Sequence, residues 1–341
     1  MRRIAAFAAV IAAACAVLTA GAGASLGTSW AEAQIDLVTS QGLMGGDAAT
    51  FRPDDPLTQG DLADLLAALS LVPQPASVDP SAPVTIAQLD ARLVKALGLG
   101  PSARLFATGA RADGLVVPSR FGTEVVARLL GFRTNHPRAD DALEPAPTDP
   151  ATRAEAAYSA AKILGWKGWE AQYAKDLASG FAIPELSDWQ WTVLQTALPL
   201  IGYPYVFGGT SERPQAPLGQ PVPGGFDCSG FVWRVYKLSR FATGTPLADT
   251  VQGRTAAEMA GEVPMTERIP FEEIEPADVL FFGPHGPRSQ PAEIDHVGIY
   301  LGGGWMISAS NTGVALAPVA TGGHRQRFAW ARRPLAEAHL V

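Results

Sequence analysis

The sequence predicts an α+β fold for the C-terminal half of the chain, preceded by an all-helical repeat domain. A helical spacing of apolar residues begins at Cys228, and residues 295–301 alternate as a strand before a glycine turn and a return strand at 305–308. The N-terminal half carries Pro-x-Thr units, each followed by apolar residues at helical spacing. The 341 residues are enough for two domains of ordinary size.

The first segment has the pattern of a secretory signal peptide. Two arginines precede an apolar, alanine-rich run over residues 4–18, and the small residues 22–24 follow that run. The run is shorter than the ~20 residues that a membrane-spanning helix needs. We therefore expect residues 1–24 to be removed, which leaves a secreted protein without a membrane span.

Composition restricts the partners and bound groups of the protein. The net charge of −7, with no basic stripe, argues against a nucleic-acid partner. The five histidines are scattered and show no zinc-type spacing, so neither a metal nor another cofactor is predicted. Cys15 lies in the signal peptide, and Cys228 is then a lone thiol in an exported protein, where no disulfide within the chain is possible.

Three Pro-x-Thr units mark the residues that follow the signal peptide. They begin at Pro56, Pro83 and Pro150, and in each the threonine can cap a helix while an acceptor side chain stands three residues later. Before the first unit, Trp30 and Ala31 open another short helix. A simpler alternative is that these are well-capped helices of an ordinary helical domain.

Two further segments are expected to be a linker between the domains and a loop that leads to Cys228. Residues 176–186 contain a Ser-Gly break and a proline, and we expect them to link residues 25–175 to a C-terminal domain over 187–341. The polar, proline-rich loop 211–224 leads directly into the cysteine, so it is expected to form a wall of the substrate groove. The alternative for this loop is an insertion without function.

Cys228 is a candidate nucleophile because of its position at a helix start. Asp227 is a good N-cap residue, and the glycines before it allow a sharp entry into the helix. A thiol at this position faces unpaired N–H groups and the positive end of the helix dipole, which favour the thiolate over the thiol. The alternative is an inert buried cysteine.

His296 is a candidate base on the predicted strand. Residues of like parity share a face of a strand, so His296, Gly298 and Tyr300 point to the same side. Depending on the turn, Ser308 lies opposite His296 or opposite Gly298, and either register puts its hydroxyl beside the imidazole. Asp295 has the opposite parity. A purely structural histidine is the alternative.

Four motifs, in this order, resemble the NlpC-type cysteine peptidases: GYPYVFGG at 202–209, DCSGFV at 227–232, DVLFF at 278–282 and DHVGIYL at 295–301. These are papain-like enzymes that cut peptidoglycan stem peptides, in which a nucleophile helix packs on an antiparallel sheet. The resemblance implies that Cys228 is the nucleophile and His296 the general base.

The resemblance also implies which residues bind substrate, and it shows one departure from the family. Tyr205, Asp227 and Ser229 are expected to line the pocket near the free amine of the substrate. The third catalytic position is usually His, sometimes Asn or Gln, and here it is Ser308. A serine hydroxyl can accept one hydrogen bond from the ring, but it is short and rotates freely.

The N-terminal units resemble S-layer homology repeats. Residues 28–72 have the family's Trp-Ala opening, central glycine, Phe-x-Pro and Pro-x-Thr helix in that order, and residues 120–165 look like a further copy. The middle copy is degenerate, because only its second helix is evident. Such modules usually bind cell-wall polymers as three-repeat units, so the resemblance implies wall anchoring through residues 25–175.

Together these observations predict a secreted cell-wall hydrolase that is anchored by its repeats. The expected reaction is cleavage of a peptidoglycan stem peptide, at the amide that follows γ-linked D-glutamate, by the Cys228 nucleophile. Two alternatives remain open: a wall-binding protein whose peptidase fold is weakly active or silent, and a relative that transfers the acyl group to another amine.

Overall fold

The three Pro-x-Thr segments close into a ring at the centre of the N-terminal half. In the computed structural model, which describes residues 29–71, 79–136 and 144–340, the Leu57 N–H donates to the Ala151 carbonyl at 2.7 Å. The Ala151 N–H donates to Val84 at 2.7 Å, and the Val84 N–H donates back to Leu57 at 2.8 Å. All three side chains are fully buried. The ring therefore joins the three units through one shared apolar centre.

Helices surround this ring. They are α1 (Glu32–Ser40), α2 (Gln59–Ala68), α3 (Ile86–Ala96), α4 (Gly100–Arg111), α5 (Phe121–Leu129), α6 (Arg153–Leu164) and α7 (Glu170–Ser179). The expected caps are confirmed, since Thr58, Thr85 and Thr152 accept hydrogen bonds from the backbone N–H three residues on in α2, α3 and α6. Between α2 and α3 the described residues, 69–71 and 79–85, contain no helix. The predicted signal peptide lies outside the described residues.

The C-terminal half is built on one antiparallel sheet. Its strands are β3 (Val279–Phe282), β4 (His296–Gly302), β5 (Trp305–Ser310), β6 (Gly313–Pro318) and β7 (Phe328–Arg332), in the order β6-β5-β4-β3-β7. A short pair, β1 (Thr210–Ser211) and β2 (Gly225–Phe226), precedes them. The helices are α8 (Asp188–Ala197), α9 (Cys228–Tyr236), α10 (Leu247–Thr250), α11 (Ala256–Gly261), α12 (Gly322–Arg327) and α13 (Pro334–Glu337).

Helix α9 packs on strands β4 and β5 through the apolar stripe that its sequence predicts. Phe231, Val232, Val235 and Tyr236 are all fully buried. The tyrosine hydroxyl is satisfied by the Ala277 carbonyl just before β3. The predicted α+β class, with a helix on an antiparallel sheet after a helical N-terminal half, is confirmed.

The two halves are joined by buried contacts. The Arg128 side chain of α5 pairs with Glu124 at 2.8 Å and with Glu144 at 2.9 Å. The same guanidinium donates to the Gly202 carbonyl at 2.7 Å and to the carbonyl of Thr312, which lies between β5 and β6. One buried arginine therefore ties the repeats to two segments of the C-terminal half.

The segment 176–186 is also packed. Its first four residues form the end of α7, and Phe181 and Ile183 are buried. The Phe181 ring lies 5.0 Å from Phe106 of α4 and 5.4 Å from Trp305 of β5, measured between ring centroids. These aromatic contacts continue the core from one half into the other.

Candidate active site

Cys228 is the first residue of α9 and follows an N-cap formed by Asp227. The aspartate side chain accepts a hydrogen bond from the Gly230 N–H, as the sequence predicts. The Cys228 side chain is only 9 % exposed, and the Val297 backbone N–H of β4 lies close enough to its sulfur to lower the pKa of the thiol. This contact places the thiol beside the strand residue that follows His296.

The thiol is neutral in the resting structure, which corrects the expectation of a lowered pKa. Burial raises the pKa of Cys228 to about 11, and the Asp227 carboxylate raises it further. Backbone N–H groups of Val297, Ser229 and Cys228 itself lower the pKa, but by less than burial raises it. The helix start therefore acts on this thiol as expected, and desolvation outweighs it.

His296, the first residue of β4, has one ring nitrogen held by Ser308. Its Nε2 lies 3.2 Å from Ser308 Oγ on the neighbouring strand β5. The register pairs Ile299 with Ile307 and Tyr300 with Met306, which sets Ser308 across from Gly298 rather than from His296. The contact is direct and leaves Nδ1 as the other nitrogen that can exchange a proton.

The imidazole is also neutral at rest. Burial lowers the pKa of His296 to about 4, and the nearby His324 and Arg327 lower it further. The His324 ring stacks with its centroid 6.2 Å from that of His296 and places Nδ1 3.2 Å from the Pro318 carbonyl. Sequence reasoning missed this second histidine, because α12 approaches β4 only in the folded chain.

The two polar residues considered as further orienting groups lie elsewhere. Asp295 is exposed and pairs with Arg327, as expected from its opposite strand parity. Asn311 is exposed in the turn after β5, where its backbone carbonyl accepts a 2.6 Å hydrogen bond from the Asn135 N–H.

Tyr205, Asp227 and Ser229 lie together at the start of α9. Tyr205 bridges to Phe226 just before the N-cap, and burial raises the pKa of its phenol to about 12, with the neighbouring Cys228 and Asp227 adding to the rise. The Ser229 hydroxyl lies 3.1 Å from Asp227 Oδ1. The tyrosine remains protonated and can donate a hydrogen bond.

An arginine that the sequence analysis did not identify occupies the centre of this group. Arg254 donates to both carboxylate oxygens of Asp227, at 3.1 and 3.2 Å, and to Ser229 Oγ at 2.9 Å. Asp227 also accepts from the Gly208 N–H at 2.8 Å, so an amine could reach it only by displacing Arg254. No local pattern signals this contact, which spans 27 positions of the chain.

The proline-rich loop forms one wall of a cavity that reaches Tyr205. The cavity encloses about 600 Å³. The loop is held by a two-way backbone pairing of Gln215 with Val222, at 3.0 and 2.8 Å, and by a bidentate ion pair between Glu212 and Arg234 of α9. The loop therefore forms one wall of this cavity and is fixed to the helix that carries Cys228.

Two observations concern metals and membranes. Among the described residues, no group of three or more His, Cys, Asp or Glu side chains is arranged to hold a metal ion. Within the same residues, no helix is long and apolar enough to cross a membrane.

Comparisons with known proteins match both halves. The sequence model of the NlpC/P60 family matches residues 202–333, and that of the S-layer homology domain matches residues 26–63. The chain is 28 % identical over 124 residues to the gamma-D-glutamyl-L-lysine dipeptidyl-peptidase of Bacillus subtilis (strain 168), which covers 36 % of this chain and 33 % of that protein. It is 34 % identical over 136 residues to the bifunctional muramidase/DL-endopeptidase CwlT of the same strain. This alignment covers 40 % of this chain and 33 % of that protein.

Solved structures also match part of the chain. A crystal structure of an NlpC/P60 family protein from Bacillus cereus ATCC 10987 matches 46 % of this chain and 43 % of its own, at 23 % identity and a TM-score of 0.33. The chain spans about one third of the length of the two curated relatives. Residues 202–333 are an NlpC/P60 family domain, and residues 26–63 match the S-layer homology domain.

Proposed function

We propose that the protein is a cysteine endopeptidase that hydrolyses peptidoglycan stem peptides. The observation that carries this proposal is the approach of two elements: the Cys228 thiol at the start of α9 contacts the backbone of β4 one residue from His296. Ser308 engages the Nε2 nitrogen of that histidine. This arrangement supports Cys228 as the nucleophile, His296 as the base and Ser308 as the orienting group that acyl transfer requires.

Both reacting groups start neutral, which defines their roles in the first step. Neutral His296 accepts the thiol proton at Nδ1 while Cys228 Sγ bonds to the peptide carbonyl carbon. The C–N bond then breaks, and the imidazolium gives its proton to the leaving amine. Backbone N–H groups at the start of α9 stabilise the oxyanion, an effect whose loss typically costs ~3 kcal/mol.

Water completes the cycle. His296 takes a proton from water as the oxygen attacks the thioester, and the thiolate leaves and recovers the proton from the imidazolium. Ser308 keeps the Nε2–H tautomer in place during both steps, because its oxygen can accept from that nitrogen. The net reaction is the hydrolysis of one peptide bond by one water molecule.

The amide after γ-linked D-glutamate is the bond we propose for cleavage. That residue carries a free α-carboxylate next to the scissile amide. The Arg254 side chain remains 32 % exposed after binding Asp227 and Ser229, so it can offer a cation to such a carboxylate beside Cys228. The B. subtilis relative named for a gamma-D-glutamyl-L-lysine bond supports the same choice.

Residues 25–175 are proposed as the wall-binding part and residues 187–341 as the peptidase. The S-layer homology match and the closed ring of three Pro-x-Thr segments support this division. The protein would then be held at the cell wall by a secondary polymer. Its export depends on the signal peptide expected at residues 1–24.

A silent wall-binding protein is the second candidate. The raised pKa of Cys228 favours it, since a thiol with a pKa of about 11 is rarely ionised near pH 7. Ser308 in place of a longer orienting side chain points the same way.

One experiment separates these functions. The mature protein is incubated with purified muropeptides in H₂¹⁸O, and the products are identified by mass spectrometry. Hydrolysis places ¹⁸O in a new carboxylate on D-glutamate, whereas acyl transfer gives a product with added amine and no ¹⁸O. Unchanged muropeptides, together with retained wall binding, would show that the domain is silent.

Anchoring is tested with the full-length Cys228→Ala protein, which cannot degrade the wall. We expect it to sediment with intact cell walls and to stay in solution when secondary polymers have been stripped with hydrofluoric acid. Sedimentation that is equal for both preparations would mean that peptidoglycan itself, rather than a polymer, retains the protein.

A further inference from the structure

Helix α5 of the repeats holds the backbone that leads into the 202–209 motif. Arg120, the N-cap residue of this helix, donates to the Pro199 and Ile201 carbonyls at 3.1 and 3.0 Å. Arg128, near the other end of the helix, donates to the Gly202 carbonyl at 2.7 Å. The carbonyl groups of three neighbouring residues of the C-terminal half are therefore bound by arginines from one helix of the repeats.

The repeats also contact the turn between β5 and β6. Arg128 donates a further hydrogen bond to the Thr312 carbonyl, and the Asn135 N–H donates to the Asn311 carbonyl at 2.6 Å. Strand β5, which ends directly before this turn, carries Ser308, the serine that contacts the imidazole of the proposed base. The position of this strand end is therefore also set by the repeats.

The two segments that Arg128 joins are paired with each other and lead to the nucleophile. The Gly202 N–H donates to the Val314 carbonyl of β6 at 2.9 Å. Two residues after that glycine, the Pro204 carbonyl accepts from the Phe226 N–H at 3.1 Å, and Phe226 stands two residues before the cysteine. A displacement of the 199–204 segment would therefore be passed on to the start of α9.

Two glycines allow the repeats to approach this closely. Gly202 has a φ of +101°, and a Cβ at that position would lie 2.9 Å from Glu124 Cδ. Gly313 has a φ of +71°, and a Cβ there would lie 2.5 Å from Arg128 Nη1. Any other residue at either position would strain the backbone and clash. The charged side chains of α5 therefore contact the backbone of the C-terminal half directly.

The guanidinium group of Arg128 is buried and charged. Its side chain is 1 % exposed and pairs with Glu124 at 2.8 Å and with Glu144 at 2.9 Å. Burial lowers the pKa of Arg128, but the two carboxylates raise it by more, so the group keeps its proton. Hydrogen bonds from a charged donor are roughly twice as strong as those between neutral groups. The loss of the bonds to Gly202 and Thr312 would therefore be costly.

We infer that Arg128 is a positioning residue for the active site, which makes the repeats necessary for turnover as well as for the proposed anchoring. It holds the segment that leads to Cys228 and the strand that carries Ser308 at a fixed spacing. The inference rests on the proposed function, in which these two residues act on the same peptide bond. A displacement of about 1 Å between reacting groups can cost ~100-fold in rate, so the spacing matters for catalysis.

A kinetic measurement on the full-length protein tests this role. The triple variant Glu124→Gln/Arg128→Met/Glu144→Gln removes the hydrogen bonds to both segments and leaves none of the three charges unpaired in the interior. With a soluble stem peptide that needs no wall binding, we expect kcat to fall by about tenfold or more. Any rise in KM should be smaller than this factor, because the reacting groups depend most closely on the spacing.

A second buried cluster in the repeats provides the matched control. Arg133 pairs with Asp90 and Glu155, and all three side chains are at most 1 % exposed. The variant Asp90→Asn/Arg133→Met/Glu155→Gln removes as many buried charges, but its ion pairs lie within the repeats, so kcat should stay native. An equal loss of kcat in both triple variants would overturn the inference, since destabilised repeats would then explain it. Native kcat in the Arg128 variant would overturn it too.

Hydrogen exchange separates this inference from the proposed hydrolysis, because it needs no substrate. The amides of residues 199–206 and 308–316 should exchange faster in the Arg128 triple variant than in the native protein, as followed by mass spectrometry of proteolytic peptides. The control triple variant should keep native rates in both segments. This result supports the positioning role even when the native protein cuts no stem peptide. Unchanged exchange in either segment of the Arg128 variant contradicts it, whatever the protein hydrolyses.

Discussion

Ser308 Oγ and His296 Nε2 lie 3.2 Å apart across two adjacent strands. Space for this contact depends on Gly298, because a Cβ at that position would come within 3.0 Å of Ser308 Cβ and 2.9 Å of Met306 Sδ. The glycine thus lets the serine approach the ring directly. A short side chain is sufficient here because the strands bring it to hydrogen-bond distance.

The first prediction concerns this hydroxyl. Ser308→Ala should lower kcat/KM about tenfold, or ~1.4 kcal/mol, because the ring loses its orienting partner but keeps its position on β4. The readout is a steady-state assay on a defined stem peptide. Ser310→Ala, farther along the same strand, is the matched control and should retain the native rate.

Two outcomes would change this view of Ser308. A loss as severe as that of Cys228→Ala would show that the hydroxyl does more than orient the ring. An unchanged rate would shift the orienting role to another group. His324, whose ring stacks near His296, would be tested next, since Asn311 faces solvent.

The second prediction concerns the ionisation of Cys228. With a pKa of about 11, the thiol should react with iodoacetamide at pH 7 more slowly than free cysteine. The rate should rise close to tenfold per pH unit up to that pKa, because only the thiolate reacts. Labelling is followed by intact-protein mass, with urea-unfolded protein as the control. Fast labelling of the folded protein at pH 6–7 would show that His296 holds the thiol as a thiolate.

Much of this site is predictable from local sequence. The N-cap Asp227, the helix from Cys228 and the strand from His296 follow from short patterns, because capping and strand parity act within a few residues. The sequence allowed two registers for Ser308, and the pairing of β4 with β5 selects one of them. Contacts between residues close in sequence, such as His296 and Ser308, can be predicted without knowing the rest of the fold.

Other features depend on contacts between distant segments. Arg254 reaches Asp227 only once α11 is docked, and His324 meets His296 through α12. The direction of the Cys228 pKa shift was also missed, since the dipole argument is local whereas burial is a property of the packed molecule. Burial in the folded protein raises the pKa of Cys228 by more than the N–H groups at the helix start lower it.

The third prediction concerns the buried carboxyl group of Glu144. Glu144 lies 2.9 Å from Arg128, and burial raises the pKa of Glu144 to about 8. A carboxyl group whose pKa is raised by folding stabilises the folded state at low pH, and this stability is lost as the pH rises through the folded-state value. The melting temperature should therefore fall as the pH rises from 6.5 to about 8 and level off above that value.

The decline above about pH 7 belongs to Glu144, because burial raises the pKa of Asp90 only to about 7 and that of Asp278 only to about 6. The lowered pKa of His296 affects stability only as the pH falls from 6.5 towards 4, and the raised pKa of Cys228 acts only above about pH 9. Glu144→Gln should flatten the decline in melting temperature, measured by calorimetry, whereas Glu272→Gln at an exposed site should not. A melting temperature that rises with pH in both proteins would contradict the predicted direction.

The fourth prediction concerns Arg254. If its guanidinium binds the α-carboxylate of γ-linked D-glutamate, the enzyme should prefer stem peptides with a free carboxylate over peptides amidated at that group. Arg254→Gln should lower kcat/KM for the free carboxylate by about tenfold or more and reduce the preference, because a charge-assisted bond is lost. Arg213→Gln, an exposed residue of the proline-rich loop, is the control. An equal loss on both peptides would assign Arg254 to holding Asp227 alone.

The proposed hydrolysis requires that Cys228 forms a covalent acyl bond with a stem peptide. The most direct test is rapid-quench mass spectrometry of the intact protein during turnover of a defined muropeptide. We expect a transient adduct on Cys228 with the mass of the portion ending in γ-D-glutamate, and neither adduct nor cleavage for Cys228→Ala. Cleavage by Cys228→Ala at the native rate, or native protein that turns over with no adduct and no effect of thiol alkylation, would contradict it.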